Sequence, residues 1–436
     1  MPLQSIATEP DGGSMRGHRP SQSVDQTSLM VALPLTLAAF FVAFACWTLF
    51  AVLGVQLRHQ FALSHLEFAL LLAMPMLSGG LVAFPLGVAT QRFGGRRVIL
   101  ACLLALMAAL LLLSSVHSYT GFLVAGLGLG AAGGLFSAGL QYLVTYLPPS
   151  RAGLVLGVFG VGVSGAGFSY LIVPVVERAY SWQLAPLAYV LVLVVIALLL
   201  LVLTDPEPTD RSQRPLVSLG VSLRFLARSR VWRLCLYFSF LFGGLVGLGL
   251  WLPDYLSTQF QLSLEDGARW SLLFALPVVL AQIAGGIGAD RFGAVTLLRL
   301  VLLLCLVPLF LLSYPDTDLA IVGIERTILL SIQPSLDWVV VGLVLLSFTM
   351  GLGLGALLRL LFDEYPRHLG VVGGLMLAAA CSTAFLLPLM FGLAVAWVGV
   401  ASAVFMLLFI FGLCTWVVLE WASRSDRCMG PLPPTG

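Results

Sequence analysis

The 436 residues are 60% hydrophobic and only 10% charged, with 22 basic and 20 acidic residues, a net charge of +2 and a mean hydropathy of +1.04. Soluble globular chains carry about 25% charged residues, so this composition cannot cover a water-facing surface and implies a polytopic membrane protein. It excludes a soluble enzyme, a disulfide scaffold and a nucleic-acid binder, because the basic residues, all Arg, form no patch that could follow a phosphate backbone.

Residues 1–28 are polar, carry both charge signs and read as a disordered tail. The apolar stretch beginning near Leu29 is too long for a cleaved signal peptide. A membrane-spanning helix needs about 20 apolar residues. Windows of that kind fall at 30–56, 67–90, 98–116, 121–147, 152–175 and 183–204, then at 231–254, 268–289, 296–313, 338–361, 369–392 and 394–420. The segment between the sixth and seventh windows is the longest charged stretch, with Asp205, Glu207, Asp210, Arg211, Arg214, Arg224 and Arg228. The expected fold is therefore all-α and integral to the membrane: twelve transmembrane helices in two pseudo-symmetric six-helix bundles. The expected divisions are an N-tail, 1–28, an N-terminal bundle, 29–204, a central loop, 205–230, a C-terminal bundle, 231–420, and a C-tail, 421–436.

With both termini on one side, only Arg58, Arg178, Arg269 and Arg326 fall on the other. Acidic residues divide almost evenly, so the asymmetry is a basic one and places both termini in the cytoplasm. The halves also repeat. Gly87-Val-Ala-Thr-Gln-Arg-Phe-Gly-Gly95 follows the second window and Gly286-Ile-Gly-Ala-Asp-Arg-Phe-Gly-Ala294 follows the eighth. Two six-helix halves related by an axis along the membrane normal form a transporter architecture, with the substrate near the midplane between them.

The first of these loops resembles the loop 2–3 signature of the major facilitator superfamily, G-x-x-x-D-R-x-G-R-R, read as a cytoplasmic gate. Gly87, Arg92, Gly94, Arg96 and Arg97 fit it, while the acidic position is Gln91. The second copy keeps its acid, Asp290, with Arg291. The N-terminal gate is therefore expected to close less firmly; the plainer alternative is that these Arg residues only anchor topology.

A narrower resemblance spans both halves. Phe44–Gly54, Glu67–Leu71 and Leu77–Leu81, then Tyr237–Gly244 with Leu250–Tyr255, then Gly351–Ala356 with Arg359, Gly370–Gly374 and Phe385–Gly392 look like the nitrate/nitrite porter family. That resemblance implies secondary transport of a small solute by alternating access, from the plasma membrane, with no cofactor. The family's two anion-clamping Arg fall on Ala83 and Gln282, and its two Asn fall near Val163 and Leu354. The clamp is thus absent. An anion in a low-dielectric pocket without a counter-charge is costly. Tyr237 is expected to line the site because its family counterpart does. Gln282 is expected there because it replaces a ligand Arg and can both donate and accept.

Trp47 and Ser164 are further pathway candidates, each weighed against ordinary helix packing. Asp254 reads as a solvated helix end. The glycine-dense window Gly157–Gly167 reads as a close-packing surface. Ile321, Ile324, Ile328 and Leu329 are spaced for one face of a short interfacial helix. The five His residues are scattered and the seven Cys lack any CxxC, so no metal site is expected. Expected partners are the lipid bilayer, a small-molecule or small-anion substrate and a coupling ion, with the chain acting as a monomer. Two rivals remain: an exporter of neutral or amphiphilic compounds, and a non-transporting membrane sensor on a transporter scaffold.

Reporter fusions at Arg16, Arg214 and Arg427 are expected to read cytoplasmic, and one at Asp318 external. An external signal at Arg214 would overturn the division into two bundles.

Overall fold

Inside a bilayer every backbone N–H and C=O must be bonded within its own segment, so each apolar window has to be a helix. The computed structural model describes residues 26–204, 224–314, 317–322, 327–332, 334–400 and 402–429. Twelve helices in this range are long and apolar enough to span a membrane. They are α1 Leu29–Phe61, α2 His65–Phe93, α3 Gly95–Ser115, α4 Tyr119–Val144, α5 Pro149–Glu177 and α6 Leu184–Leu203. The second half has α7 Ser229–Gln259, α8 Glu265–Phe292, α9 Ala294–Leu312, α10 Leu336–Glu364, α11 Leu369–Trp397 and α12 Ala403–Arg424. Each expected window overlaps one of them. Residues 1–25, 205–223 and 430–436, which hold most of the expected tails and central loop, lie outside the described residues.

Two expectations change. The last window was placed at 394–420, but α11 continues through a π-turn at Ala394–Val398 and stops at Gly399, whose φ of 73° lies in the left-handed region. The helix of α12 then starts at Ala403 and runs on to Met429. The interfacial helix between α9 and α10 is not formed. Thr317–Val322 (β1) and Thr327–Ile332 (β2) pair as an antiparallel hairpin, with Thr317 opposite Ile332 and Val322 opposite Thr327. The strands are rich in Thr, Ile and Val, whose β-branched side chains favour a pleated surface over a helix. Ile324 lies outside the described residues.

The internal repeat is visible in the backbone. Gly94 and Gly293 both break the chain between adjacent helices, at φ 88° and 86°, a region that glycine enters without a Cβ clash. The end of the molecule carrying these two turns is called the RFG end below.

The halves meet along two symmetry-related helix pairs, α2 with α11 and α5 with α8. A Cβ on Gly87 of α2 would overlap the Gly370 carbonyl of α11, and a Cβ on Gly153 of α5 would overlap the Gly286 carbonyl of α8. One turn further in, a Cβ on Gly374 would lie 2.6 Å from the Ala83 carbonyl oxygen, and one on Gly157 2.7 Å from the Gln282 carbonyl oxygen. Ala83 and Gln282 thus occupy equivalent places on the seam between the halves. Glycines at these positions let backbone touch backbone, the close approach that small residues permit in membrane helices.

Gly157→Val and Gly374→Val are each expected to destabilise the protein by about 1–3 kcal/mol, the usual cost of overpacking. Thermal unfolding in detergent measures this, and unchanged midpoints for both would mean that the seam is not closed in solution.

Candidate functional site

Three polar clusters join the halves across this seam. At the RFG end, the Asp290 carboxylate on α8 accepts the backbone N–H groups of Gly153 and Leu154 at 3.0 Å each. These donors open the N-terminal part of α5, where unpaired N–H groups and the helix dipole favour a negative charge. Arg359 of α10 donates to the same carboxylate at 2.7 Å and to the Pro149 carbonyl at 2.9 Å. It also pairs with Asp363 at 3.0 Å. The result is a charged lock in which α8 and α10 hold the start of α5.

The equivalent corner between α2 and α11 is built without a carboxylate. Gln91, at the position matching Asp290, donates from Nε2 to His368 Nδ1 at 3.0 Å. Gln141 of α4 accepts the Gly370 N–H at 3.0 Å, as Asp290 accepts that of Gly153. The bond from Gln91 needs an unprotonated Nδ1. Partial burial, with Arg228 and Arg367 nearby, holds the His368 imidazole below its usual titration range and keeps it neutral. This corner is therefore joined by neutral hydrogen bonds alone.

At the opposite end, Arg58 at the end of α1 donates from Nη1 to Asp254 of α7 at 2.7 Å and from Nη2 to His65 of α2 at 3.0 Å. Its guanidinium also lies 5.3 Å from the Phe68 ring. Asp254 is only 6% exposed, so it is not the solvated helix end that its place in the sequence suggests. Its partner stands far away in the chain and comes to it only through the packing of α1 against α7.

Between the ends, an aromatic cluster fills much of the seam. Phe136 of α4 stacks on Phe238 of α7 at 5.5 Å, and Phe44 of α1 meets Phe242 of α7 edge-on at 6.0 Å. A chamber of about 30 Å³ remains, lined by Phe44 and Thr48 of α1, Val163, Ser164, Ala166 and Tyr170 of α5, Leu245, Val246 and Gly249 of α7, and Phe274, Ala275 and Val278 of α8. That is room for about one water molecule. Its hydroxyls are turned to backbone: Thr48 donates to Phe44, Ser164 to Val161 and Tyr170 to Gly249. Irregular turns flank it, a 3₁₀ segment at Val161–Ser164 in α5 and a π segment at Ser239–Gly243 in α7. Such segments often mark hinges or functional sites in helices.

The sequence candidates distribute as follows. Ser164 lines the chamber, as does Val163. Gln282 lies one turn from the lining residue Val278, is 1% exposed and has an enclosed Oε1 with no hydrogen-bond partner. That oxygen faces Gly160, where a Cβ would come within 2.6 Å of it. Ala83 is fully enclosed on the equivalent seam, its carbonyl accepting from Ser137 at 3.1 Å. Trp47 does not wall the chamber. It is sealed inside the N-terminal half, with its indole N–H donating to the Pro75 carbonyl at 2.8 Å. Tyr237 is buried just before the π segment, outside the chamber lining.

Of the gate Arg residues, Arg96 donates to the Leu201 carbonyl of α6 at 2.9 Å, within its own half. Arg92, Arg97 and Arg291 are exposed, and among the described residues none of the three pairs across the seam. Sequence reasoning missed Arg58, His65, Gln141 and His368 as seam residues.

The model of the Major Facilitator Superfamily matches residues 35–325. The chain belongs to the Major Facilitator Superfamily. It is a multi-pass secondary transporter, not an enzyme. It is 29% identical over 410 residues to the probable nitrate/nitrite antiporter NarK1 of Thermus thermophilus, covering 90% of this chain and 91% of that one. It is 26% identical to the nitrite extrusion protein of Bacillus subtilis, over 91% of this chain and 95% of the relative. Among solved structures, the human organic anion transporter MFSD10 superposes with a TM-score of 0.69 at 20% identity, covering 90% of this chain and 99% of that one. The Escherichia coli fucose:proton symporter FucP superposes at 0.66 and 15% identity with the same coverages. These two share the fold.

Asp290→Asn keeps an acceptor for the start of α5 but removes the charge that holds Arg359. The closed state is expected to lose about 1.5–3 kcal/mol, the range for hydrogen bonds to charged groups. Turnover in proteoliposomes is expected to fall while the protein still inserts and folds. Unchanged turnover would reduce this corner to a topology anchor.

Proposed function

We propose that the chain carries a small inorganic anion of the nitrate/nitrite kind across the plasma membrane, by alternating access, with both termini in the cytoplasm. The observation that carries the reading is the doubly sealed seam. Arg58–Asp254 closes one end and the Asp290–Arg359 and Gln91–His368 corners close the other, with the small chamber between them. That is the occluded step of a carrier. Releasing one set of locks at a time would open the chamber to one side only. In this reading 29–204 and 231–420 are the two moving bodies, 205–230 is their tether, and the RFG end faces the cytoplasm. Gly87, Gly94, Gln91, Asp290 and Arg359 act at the gate. The carrier is taken as a monomer that runs on the gradient of its substrate or of a coupling ion.

The names of the relatives support the substrate class. With Ala83 and Gln282 in place of the clamp, the anion would be held by dipoles alone: the Gln282 amide, the Ser164 and Thr48 hydroxyls once released from their backbone partners, and Tyr170. Neutral hydrogen bonds are about half as strong as charge-assisted ones, so the anion would be held loosely. Trp47 and Tyr237, which stand outside the lining, are not assigned a contact with the anion. A second reading, transport of a neutral or amphiphilic solute, is favoured by one feature: no charged side chain lines the chamber.

Equilibrium binding of nitrate and nitrite to purified protein at fixed ionic strength tests both. Nitrate is expected to bind in the millimolar range, several-fold more weakly in Gln282→Ala and nearly unchanged in Ala83→Ser, since only Gln282 offers a donor and an acceptor. Tight binding that survives Gln282→Ala would overturn the assignment of Gln282. Binding of neutral solutes with no response to nitrate or nitrite would favour the second reading.

A further inference from the structure

The pseudo-symmetry that equates Ala83 with Gln282 also gives the chamber a counterpart on the other crossing. The spacing that relates Gly87 to Gly286 carries Met76 of α2 onto Ala275 of α8, and the spacing that relates Gly374 to Gly157 carries Cys381 of α11 onto Ser164 of α5. Ala275 and Ser164 line the chamber. Met76 and Cys381 line a groove of about 360 Å³ between α2 and α11. The two spaces differ in what closes them. The chamber is walled by four helices, because α1 and α7 cover the gap between α5 and α8. The groove has walls from α2 and α11 alone. Its floor is the crossing itself, where a Cβ on Gly80 would lie 2.9 Å from the Cβ of Cys381. Its rim is turned outward, with Leu81 69% exposed and Leu386 51% exposed.

Depth and chemistry select the occupant. The groove residues fall between 76 and 81 in His65–Phe93 and between 378 and 386 in Leu369–Trp397. Both sets are at mid-span, with about 20 Å of helix on either side at roughly 1.5 Å per residue. That is the hydrocarbon layer, out of reach of water and of lipid headgroups. None of the lining residues is charged. The one hydroxyl, that of Ser382, already donates to the Ala378 carbonyl of its own helix at 3.2 Å. A polar guest would lose its own hydrogen bonds on entry, which is costly. An unfilled groove forfeits dispersion contacts along both walls. A flexible hydrocarbon chain regains them without any polar loss, and lipid chains are what a bilayer offers at that depth.

We propose that the groove between α2 and α11 is a binding site for one acyl chain of a bilayer phospholipid. A chain seated there lies against α2 of one half and α11 of the other. The site is complete only while the two walls keep this spacing, so a bound chain favours the closed crossing. It thereby supports the crossing whose corner at the RFG end has neutral hydrogen bonds alone. The proposal needs the spans and the fold, and no assignment of substrate or sidedness.

The test maps where lipid chains touch the full-length protein. Nanodiscs are doped with a phosphatidylcholine that carries a diazirine near the methyl end of one chain, irradiated, and the adducts are located by peptide mass spectrometry. Adducts within 76–81 and 378–386 are expected to saturate as the mole fraction of probe rises. Adducts at the exposed Leu191 and Leu198 of α6 are expected to rise in proportion to it. Ser382→Phe, at an exposed position, fills the groove with its own ring and is expected to abolish the saturable labelling, while Leu191→Phe is expected to keep it. Gly374→Val, one turn away, presses on the Ala83 carbonyl and parts the walls, so it is also expected to abolish it. The wild-type comparison of the groove with α6 stands without any variant. Groove labelling that is no more saturable than that of α6, or saturable labelling that persists in folded Ser382→Phe, would overturn the proposal. So would saturable labelling by a diazirine-bearing alkanol that phospholipid does not displace, because the occupant would then be a dissolved apolar compound.

Discussion

Everything that can move in this molecule depends on two bare-backbone crossings, α2 on α11 and α5 on α8. Within each helix the bilayer forces the hydrogen-bond ladder to be complete, so the helices themselves are poor places to store a conformational change. The crossings differ. Gly87, Gly153, Gly157, Gly286, Gly370 and Gly374 bring main chain against main chain, with the Asp290 side chain at Gly153 and the Gln141 and Thr90 side chains at Gly370. Their attraction is dispersion, small per atom pair and lost gradually as surfaces part. Such a seam closes tightly and can open without breaking many directional bonds. The discrete part of the closed state is left to a few polar groups at its ends.

Those groups are not equivalent in strength. The Asp290 corner has a full charge between a helix N-terminus and a guanidinium, while the equivalent corner has two amides and a neutral imidazole. Pseudo-symmetry of the fold makes the substitutions comparable: Gln91 stands for Asp290 and Gln141 does the work of the second acceptor. A carrier with charged locks at every corner would sit in a deep occluded minimum, and each 1.4 kcal/mol of extra closure would slow opening about tenfold. Neutral groups at one corner make that minimum shallower. They also tie its depth to the protonation of His368, which burial and two neighbouring Arg keep uncharged.

The sequence carried the spans and the repeat clearly, since twenty apolar residues in a row have few other uses and the paired RFG loops place uncommon residues at matching turns. It carried the seam poorly. With 45 glycines in the chain, nothing local separates those that face the other half from those that face lipid. Asp254 was misjudged because its partner Arg58 is 196 positions away, and a carboxylate near a helix end looks solvated until something is packed over it. His368 looks scattered for the same reason: its partner Gln91 is 277 positions away, in the other half. The hairpin between α9 and α10 is hard to read from sequence because isoleucines three and four apart also occur in a strand-forming stretch rich in β-branched residues.

The missing clamp follows from the same geometry. Ala83 is fully enclosed, and the carbonyl at that turn lies against Gly374. An arginine there would need room that this state does not offer. On the equivalent turn Gln282 fits only because Gly160 makes space for its amide oxygen, which then has no partner. A buried carbonyl without a donor costs about 1–3 kcal/mol, a cost that a bound group able to donate would relieve. A bare nitrate cannot donate through its oxygens. The side of Gln282 that an anion could use is therefore its NH₂, and the unsatisfied Oε1 is the feature of the midplane that sets a donor-bearing solute apart from an anion that only accepts.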